Sequence, residues 1–292
     1  MMNGNSDELN RAYLDRLTIN CRYIGTEEAS TECTLFGRKL ATPILLGGLA
    51  HYERLHESGM VGYAAAAASA GTAMWTGFSS DAEIESVVAA GIPAARIIKP
   101  FADTDYVLSM IAHDEKAGCC AVAMDIDHAY NKRGFHDSFG GKPLASPGVP
   151  VLRMYAQSTS LPFFCKGVLS VPDAVACAEA GIAGIVVSQH QNMFPWNPPV
   201  LSVLPEIRKA VGSSLTILCD SGLDTGYECF KALALGADGV FTVRPMMPIF
   251  REKGAAGVAE RLTQMTDELR CAMSRTGSKD VRHIDSSAIR LI

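Results

Sequence analysis

Eight times along this chain a short apolar run is followed by a polar turn, and a helical segment usually leads to a glycine before the next run. The runs are Pro43–Leu49, Thr72–Thr76, Ala95–Lys99, Cys120–Asp125, Pro162–Lys166, Gly184–Ser188, Leu215–Asp220 and Gly239–Val243. Each is short and apolar without strict alternation, the pattern of strands covered on both faces. Their starts lie about 22 to 31 residues apart, with one gap of about 42, which is the length of a βαβ unit. Helical patterns fill the spaces at Gly59–Ala70, Asp81–Ala90, Thr104–Ala117, Pro172–Ala180, Leu201–Val211, Gly226–Leu235 and Gly254–Arg275. Ser80–Asp81 and Pro172–Asp173 are helix-entry signals. The stretches AVACAEAGIAGIVVS and CFKALALGADGVFTV repeat one grammar, an Ala-rich helix, a C-terminal glycine and a strand.

Eight such units in series predict an α/β fold, a closed (β/α)8 TIM barrel in a single domain. An open dinucleotide-binding sheet would carry G-x-G-x-x-G after its first strand. Here that strand ends Gly47-Gly48-Leu49-Ala50, without the third glycine. The expected organisation is an N-terminal cap segment over 1–42 and the barrel over 43–292. The long stretch 127–160, rich in glycine, proline and charge, is expected as a loop over the active face.

A net charge of -5 and a pI near 5.8 give no electrostatic footprint for nucleic acid. No apolar run reaches the roughly 18 residues that a membrane span needs. The polar, acidic start has no signal-peptide pattern, and nine cysteines include no C-x-x-C pair or zinc spacing. A reduced, cytoplasmic setting is the expectation, with a small molecule as the partner. Vicinal Cys119–Cys120 read as buried, inert thiols.

In a barrel of this kind, residues at strand C-termini face the working site. Here they include Gly48 and Leu49, Gly77, Lys99, Asp125, Lys166, His190, Asp220-Ser221-Gly222 and Val243-Arg244. His190 follows the apolar strand GIVVS, where a structural role and a catalytic one weigh equally on position alone. Asp125 at a neighbouring strand end could hold one ring nitrogen and tune His190 as a general base. Lys166 could close an ion pair or stabilise negative charge on a cofactor or an enolate. The DSGLDTG turn with Arg244 one unit later predicts a phosphate site, from free backbone N–H groups and a bidentate guanidinium. The alternative is that its glycines only serve the turn and Arg244 pairs with Asp224. His128 and His136 lie on the long loop, and no metal is expected from Asp125, Asp127 and His128.

Together these residues resemble the FMN-dependent α-hydroxy acid oxidase and dehydrogenase family of the glycolate oxidase, lactate oxidase and flavocytochrome b2 type. The resemblance runs from about Leu35 to Gly277. It is clearest in Cys165-Lys166-Gly167, Gly184 to His190, Asp220-Ser221-Gly222, Lys231 to Asp238, and Arg244-Pro245. It implies FMN as cofactor and a catalytic set of His190, Asp125 and Lys166. His190 is then the base, Asp125 the acid that orients it, and Lys166 the residue facing the flavin N1–C2 region. Gly48, Leu49, Gly77, Lys99, Ser221 and Val243 join Asp220, Gly222 and Arg244 as implied cofactor contacts. A homotetramer is the implied assembly.

The departures describe a divergent member with a shortened N-terminal segment. The family's S-N-H-G-x-R becomes Ser188-Gln189-His190-Gln191-Asn192-Met193, so Met193 replaces the arginine that clamps the substrate carboxylate. Asp224 stands where a phosphate-contacting arginine is expected, and Phe101 where a substrate-binding tyrosine is usual. Lys132 or Arg133 falls near the family's other substrate arginine. The expected activity is oxidation of a 2-hydroxy acid or related small molecule. The alternatives are a flavin-free isomerase or lyase acting on a phosphorylated metabolite, and a non-catalytic relative.

Overall fold

The computed structural model describes residues 4–190 and 193–292. Every apolar run supplies one strand: β1 (Ile44–Leu49), β2 (Met74–Thr76), β3 (Ala94–Ile98), β4 (Ala121–Asp125), β5 (Phe163–Val168), β6 (Gly184–Val187), β7 (Thr216–Cys219) and β8 (Gly239–Thr242). They pair in parallel in that order, and β8 closes on β1, giving the (β/α)8 barrel. Helices α1 (Gly59–Ser69), α2 (Asp81–Ala89), α3 (Thr104–Ala117), α4 (Val149–Gln157), α5 (Val171–Glu179), α6 (Val200–Val211), α7 (Gly226–Ala234) and α8 (Met246–Ser274) form the outer layer.

Local chemistry sets these boundaries. Ser80 and Thr225 each close a capping box, with Glu83 and Glu228 respectively. Gly118 ends α3 in the left-handed conformation that lets the chain turn back into β4. Gly184 opens β6 without a side chain, because a Cβ there would run into the Phe164 ring and the Thr216 carbonyl. The chain therefore passes close to its neighbours at this barrel wall.

Two apolar layers result. One lies between strands and helices, and the other fills the barrel with Leu45, Trp75, Ile97, Phe164, Leu218 and Phe241. Burying side chains of this size contributes about 1.5–3 kcal/mol each. At the N-terminal end of the barrel a hairpin (Cys33–Leu35 with Arg38–Leu40) acts as a plug. Its turn residue Phe36 sets its ring 5.4 Å from Trp75 and 5.6 Å from Phe164.

The first 42 residues, expected as one cap, divide between both ends of the barrel. While the hairpin closes the bottom, the N-terminal helix (Ser6–Arg16) lies over the loops after β6, β7 and β8. Buried Asn10 fixes it, donating to the Ser221 carbonyl and accepting from Val200 N–H. Leu17–Ile19 then pairs antiparallel with Ile289–Leu291, joining the two ends of the chain.

Two sequence expectations change. The stretch 127–160 is not loop throughout: after a helical turn at Ile126–Ala129 and a short hairpin (Ser138–Phe139 with Lys142–Pro143), α4 supplies the fourth crossover helix. Pro150 in its first turn and buried Leu152 and Tyr155 on one face explain the helix. The last helix begins at Met246 rather than Gly254, where Gly254, at φ 58°, breaks it into two segments. Among the described residues no helix is long and apolar enough to cross a membrane.

Candidate active site

Strand register places the first charges. Lys166 on β5 pairs directly with Asp125 on β4, so both emerge at adjacent strand ends. The Asp125 carboxylate is buried at 3% exposure and meets two ammonium groups, Lys99 Nζ at 2.7 Å and Lys166 Nζ at 3.2 Å. Burial alone would raise its pKa, yet Lys166 and Lys99, with His190 behind them, hold it well below the usual carboxylate range. Burial likewise opposes the charge on Lys166, but Asp125 and Asp220 overcome it and hold the ammonium protonated. The Asp220 carboxylate lies 4.0 Å from Lys166, at the end of β7.

His190 follows β6 with a positive φ of 46°. Its backbone N–H donates to Ser188 Oγ at 3.1 Å. The ring is held by Asp127 rather than, as expected, by Asp125. Its Nδ1 lies 3.1 Å from Asp127 Oδ2 and 3.6 Å from Asp125 Oδ1. Asp125 is already engaged by two lysines, which leaves Asp127 as the acceptor for the ring. Gly167 makes room for it, since a Cβ there would run into the Asp127 carboxylate.

The other nitrogen, Nε2, lies 3.0 Å from Nε2 of His128. Burial, reinforced by Lys99 and His190, lowers His128 to about 4, so its ring is neutral at pH 7. With Nδ1–H donated to Asp127, His128 donates through Nε2–H to the lone pair on His190 Nε2, and the Lys166 ammonium, 3.3 Å from the same Nδ1, turns to Asp125 instead. Asp125, His128 and His190 also bring ligand atoms within 4.8 Å of one another, a spacing open to a metal ion. Two ammonium groups already neutralise the one carboxylate of that trio.

A cavity of about 250 Å³ opens beside these groups. Lys166, His190 and Asp220 line one part, Gly48 and Leu49 another, and Ser221, Gly222, Val243 and Arg244 continue it toward the loops after β7 and β8. Gly77 and Lys99 are not part of its lining. The Gly77 N–H donates to the Leu49 carbonyl at 2.8 Å, and the Lys99 ammonium is committed to Asp125.

The residues expected at the substrate end are more scattered. Phe101 is buried in an aromatic group with Phe78, Tyr106 and Phe139. Lys132 and Arg133 are exposed on the loop after β4, and Arg133 lies over the Phe135 ring at 5.5 Å. Met193 is half-buried, whereas Gln191 and Asn192 of the expected motif lie outside the described residues. Arg244 pairs with Asp7 of the N-terminal helix, at 2.8 and 2.9 Å, and not with Asp224. Buried Cys119 and Cys120 are both pushed up to about 12 by burial, which makes them inert thiols at neutral pH.

Comparison with known proteins decides what this arrangement belongs to. Residues 2–138 and 145–291 match the family described as FMN-dependent dehydrogenase. The chain belongs to the FMN-dependent dehydrogenase family. It is 28% identical to the glycolate oxidase of Spinacia oleracea, over 88% of this chain and 79% of that one. An L-lactate oxidase of Alicycliphilus denitrificans is 29% identical, over 87% and 80% respectively. A solved mandelate oxidase superposes with a TM-score of 0.88 at 26% identity, covering 99% of this chain and 91% of that one. A mandelate oxidase variant with an FMN adduct gives 0.89 at 28% identity, over 100% and 92%.

Membership in the FMN-dependent dehydrogenase family makes the chain an FMN-dependent oxidoreductase. The cavity fits that cofactor where cationic Lys166 stands beside the glycine-bearing turns at Gly48 and Gly222. At Arg244 the fit is conditional, because an internal carboxylate already holds the guanidinium. Sequence reasoning missed two partners here. Asp127 carried a signal, lying two residues beyond Asp125 and beside His128 at a strand end. Asp7 carried none, since nothing local tells a helix-capping acid from one that reaches a loop 237 residues away.

Proposed function

We propose that this chain oxidises a 2-hydroxy acid, or a related small molecule with an apolar side chain, with His190 as the catalytic base. The observation that supports this most strongly is the ring geometry. Asp127 fixes Nδ1–H, which leaves the lone pair on Nε2 free to take a proton once substrate displaces the His128 N–H. Bound FMN supplies the acceptor for the two electrons that leave the substrate α-carbon. Asp127 stabilises the imidazolium that forms when His190 takes the proton. Lys166, kept cationic by Asp125 and Asp220, provides positive charge at the ring end of the cofactor. Gly48, Leu49, Asp220, Ser221, Gly222 and Val243 would hold the cofactor along the cavity, and Arg244, once free of Asp7, would meet its phosphate. Gly77 and Lys99 act from behind this lining, Gly77 through Leu49 and Lys99 through Asp125.

The substrate side supports the chemical class. The carboxylate clamp at position 193 is a methionine, and Phe194 and Trp196 are exposed beyond it. Lys132 and Arg133, exposed on the loop after β4, are the cations left to meet a substrate carboxylate, and Phe101 lies outside the cavity lining. A Schiff-base route through Lys166 is disfavoured, because that amine is held protonated. The domain organisation we propose is one barrel over 43–292 with the 1–42 segment packed on both of its ends. A cytoplasmic setting is supported by nine free cysteines, and a homotetramer by the family resemblance.

Anaerobic mixing of the flavin-loaded chain with a panel of aliphatic and aromatic 2-hydroxy acids tests the proposal. At least one should bleach the flavin absorbance. No bleaching by any of them, with flavin demonstrably bound, overturns it.

A further inference from the structure

We infer that Asp7 is a built-in competitor for the cofactor's phosphate, so that the N-terminal helix must release Arg244 before FMN can bind through both of its ends. The inference rests on the flavin reading of the cavity. The two terminal guanidinium nitrogens of Arg244 each donate to one oxygen of the same carboxylate, at 2.8 and 2.9 Å. That fork-to-fork arrangement is the one a phosphate would use. Asp7 therefore fills the anion position with a group from the same chain.

The surrounding charges point the same way. Asp220 and Asp224 line the same cavity as Arg244, Asp220 facing Lys166 at 4.0 Å and Asp224 standing near Arg11 and Arg261, so the charge of Arg244 itself is taken by Asp7. A phosphate arriving with Asp7 still in place would meet a guanidinium whose fork is already filled by a carboxylate. The competitor is also held in position. Its helix is tied by Asn10 to the Ser221 carbonyl in the cavity lining and to Val200 N–H at the start of α6, and by Lys231 of α7, which donates to the Leu14 carbonyl at 2.9 Å. The Asp7–Arg244 pair is a further tie of the same helix, so its release by a phosphate would remove one of the contacts that dock the helix.

FMN and riboflavin share ring and ribityl chain and differ in the phosphate, so their affinity ratio isolates this end. The full-length chain, stripped of flavin, should bind the two within about fivefold of each other in a fluorescence-quenching titration at low salt. Asp7→Asn should tighten FMN by about tenfold or more, the scale of one charge-assisted pairing, and leave riboflavin within about twofold. Asp224→Asn, outside the helix, should shift the ratio in the same direction. In wild type, FMN should raise amide hydrogen exchange over residues 6–16, and riboflavin should not. If Asp7→Asn changes both affinities alike, or neither, while both ligands still bind, the inference is overturned. If no variant binds either ligand, the flavin reading itself falls.

Discussion

The Nε2 atoms of His128 and His190 lie 3.0 Å apart, so one hydrogen is shared between two imidazoles at the mouth of the barrel. Because Asp127 claims the opposite edge of His190, that hydrogen belongs to His128 and the lone pair to His190. The base is thus stored in its accepting form, covered by a donor that substrate must replace.

Replacing His190 with alanine should slow flavin reduction by substrate about 10²- to 10⁴-fold, the usual worth of a positioned base. Flavin should stay bound, since Lys166 and the β7 and β8 loops are untouched. Anaerobic stopped-flow absorbance separates the two effects. Asp127→Asn should give a smaller loss, through a mispositioned ring and a less stabilised imidazolium. An Asp127→Asn variant at wild-type speed would contradict the ring assignment.

His128 titrates near 4 in the fold, against about 6.5 for an unperturbed ring. The unfolded chain therefore binds the proton first as pH falls. Stability from this residue is fully present above about pH 6.5 and is lost as pH drops toward 4. Urea denaturation at pH 7 and pH 4.5 should show a larger loss for wild type than for His128→Gln, which has no such proton to bind.

Away from the site, Arg96 is 1% exposed and holds buried Asp114 at 2.8 Å and Asp81 at 2.6 Å. Arg96→Met leaves Asp114 without its cationic partner and should cost about 3–5 kcal/mol in a denaturant titration. Adding Asp114→Leu to Arg96→Met should recover part of that loss, because an apolar pair needs no partner.

The barrel was legible because both-face burial writes continuous apolar runs, and each of the eight became a strand. Helix α4 was not, since the nine residues Val149–Gln157 carry a proline and sit behind a glycine-rich hairpin. Within the site, Asp125, Lys166 and His190 could be placed by strand ends alone. Which acid would hold His190 could not, because that choice depends on Lys99 and Lys166 drawing the Asp125 carboxylate toward themselves from two other strand ends. Long-range charge pairing, as between Asp7 and Arg244, leaves no periodic trace at all.

Met193→Arg introduces a guanidinium at the position where the family resemblance expects the carboxylate clamp. For a small 2-hydroxy acid such as lactate it should lower KM by about tenfold or more, the scale of one charge-assisted pairing. Steady-state kinetics on wild type and variant, with kcat and KM separated, check this. An unchanged KM would move substrate binding toward Lys132 and Arg133.

FMN belongs at this barrel mouth. The visible absorbance spectrum of the full-length chain, incubated with FMN and then desalted, tests it most directly. A yellow protein with bound-flavin bands and about one FMN per chain is the expected result. A colourless protein, with all the FMN recovered in the small-molecule fraction, would contradict it.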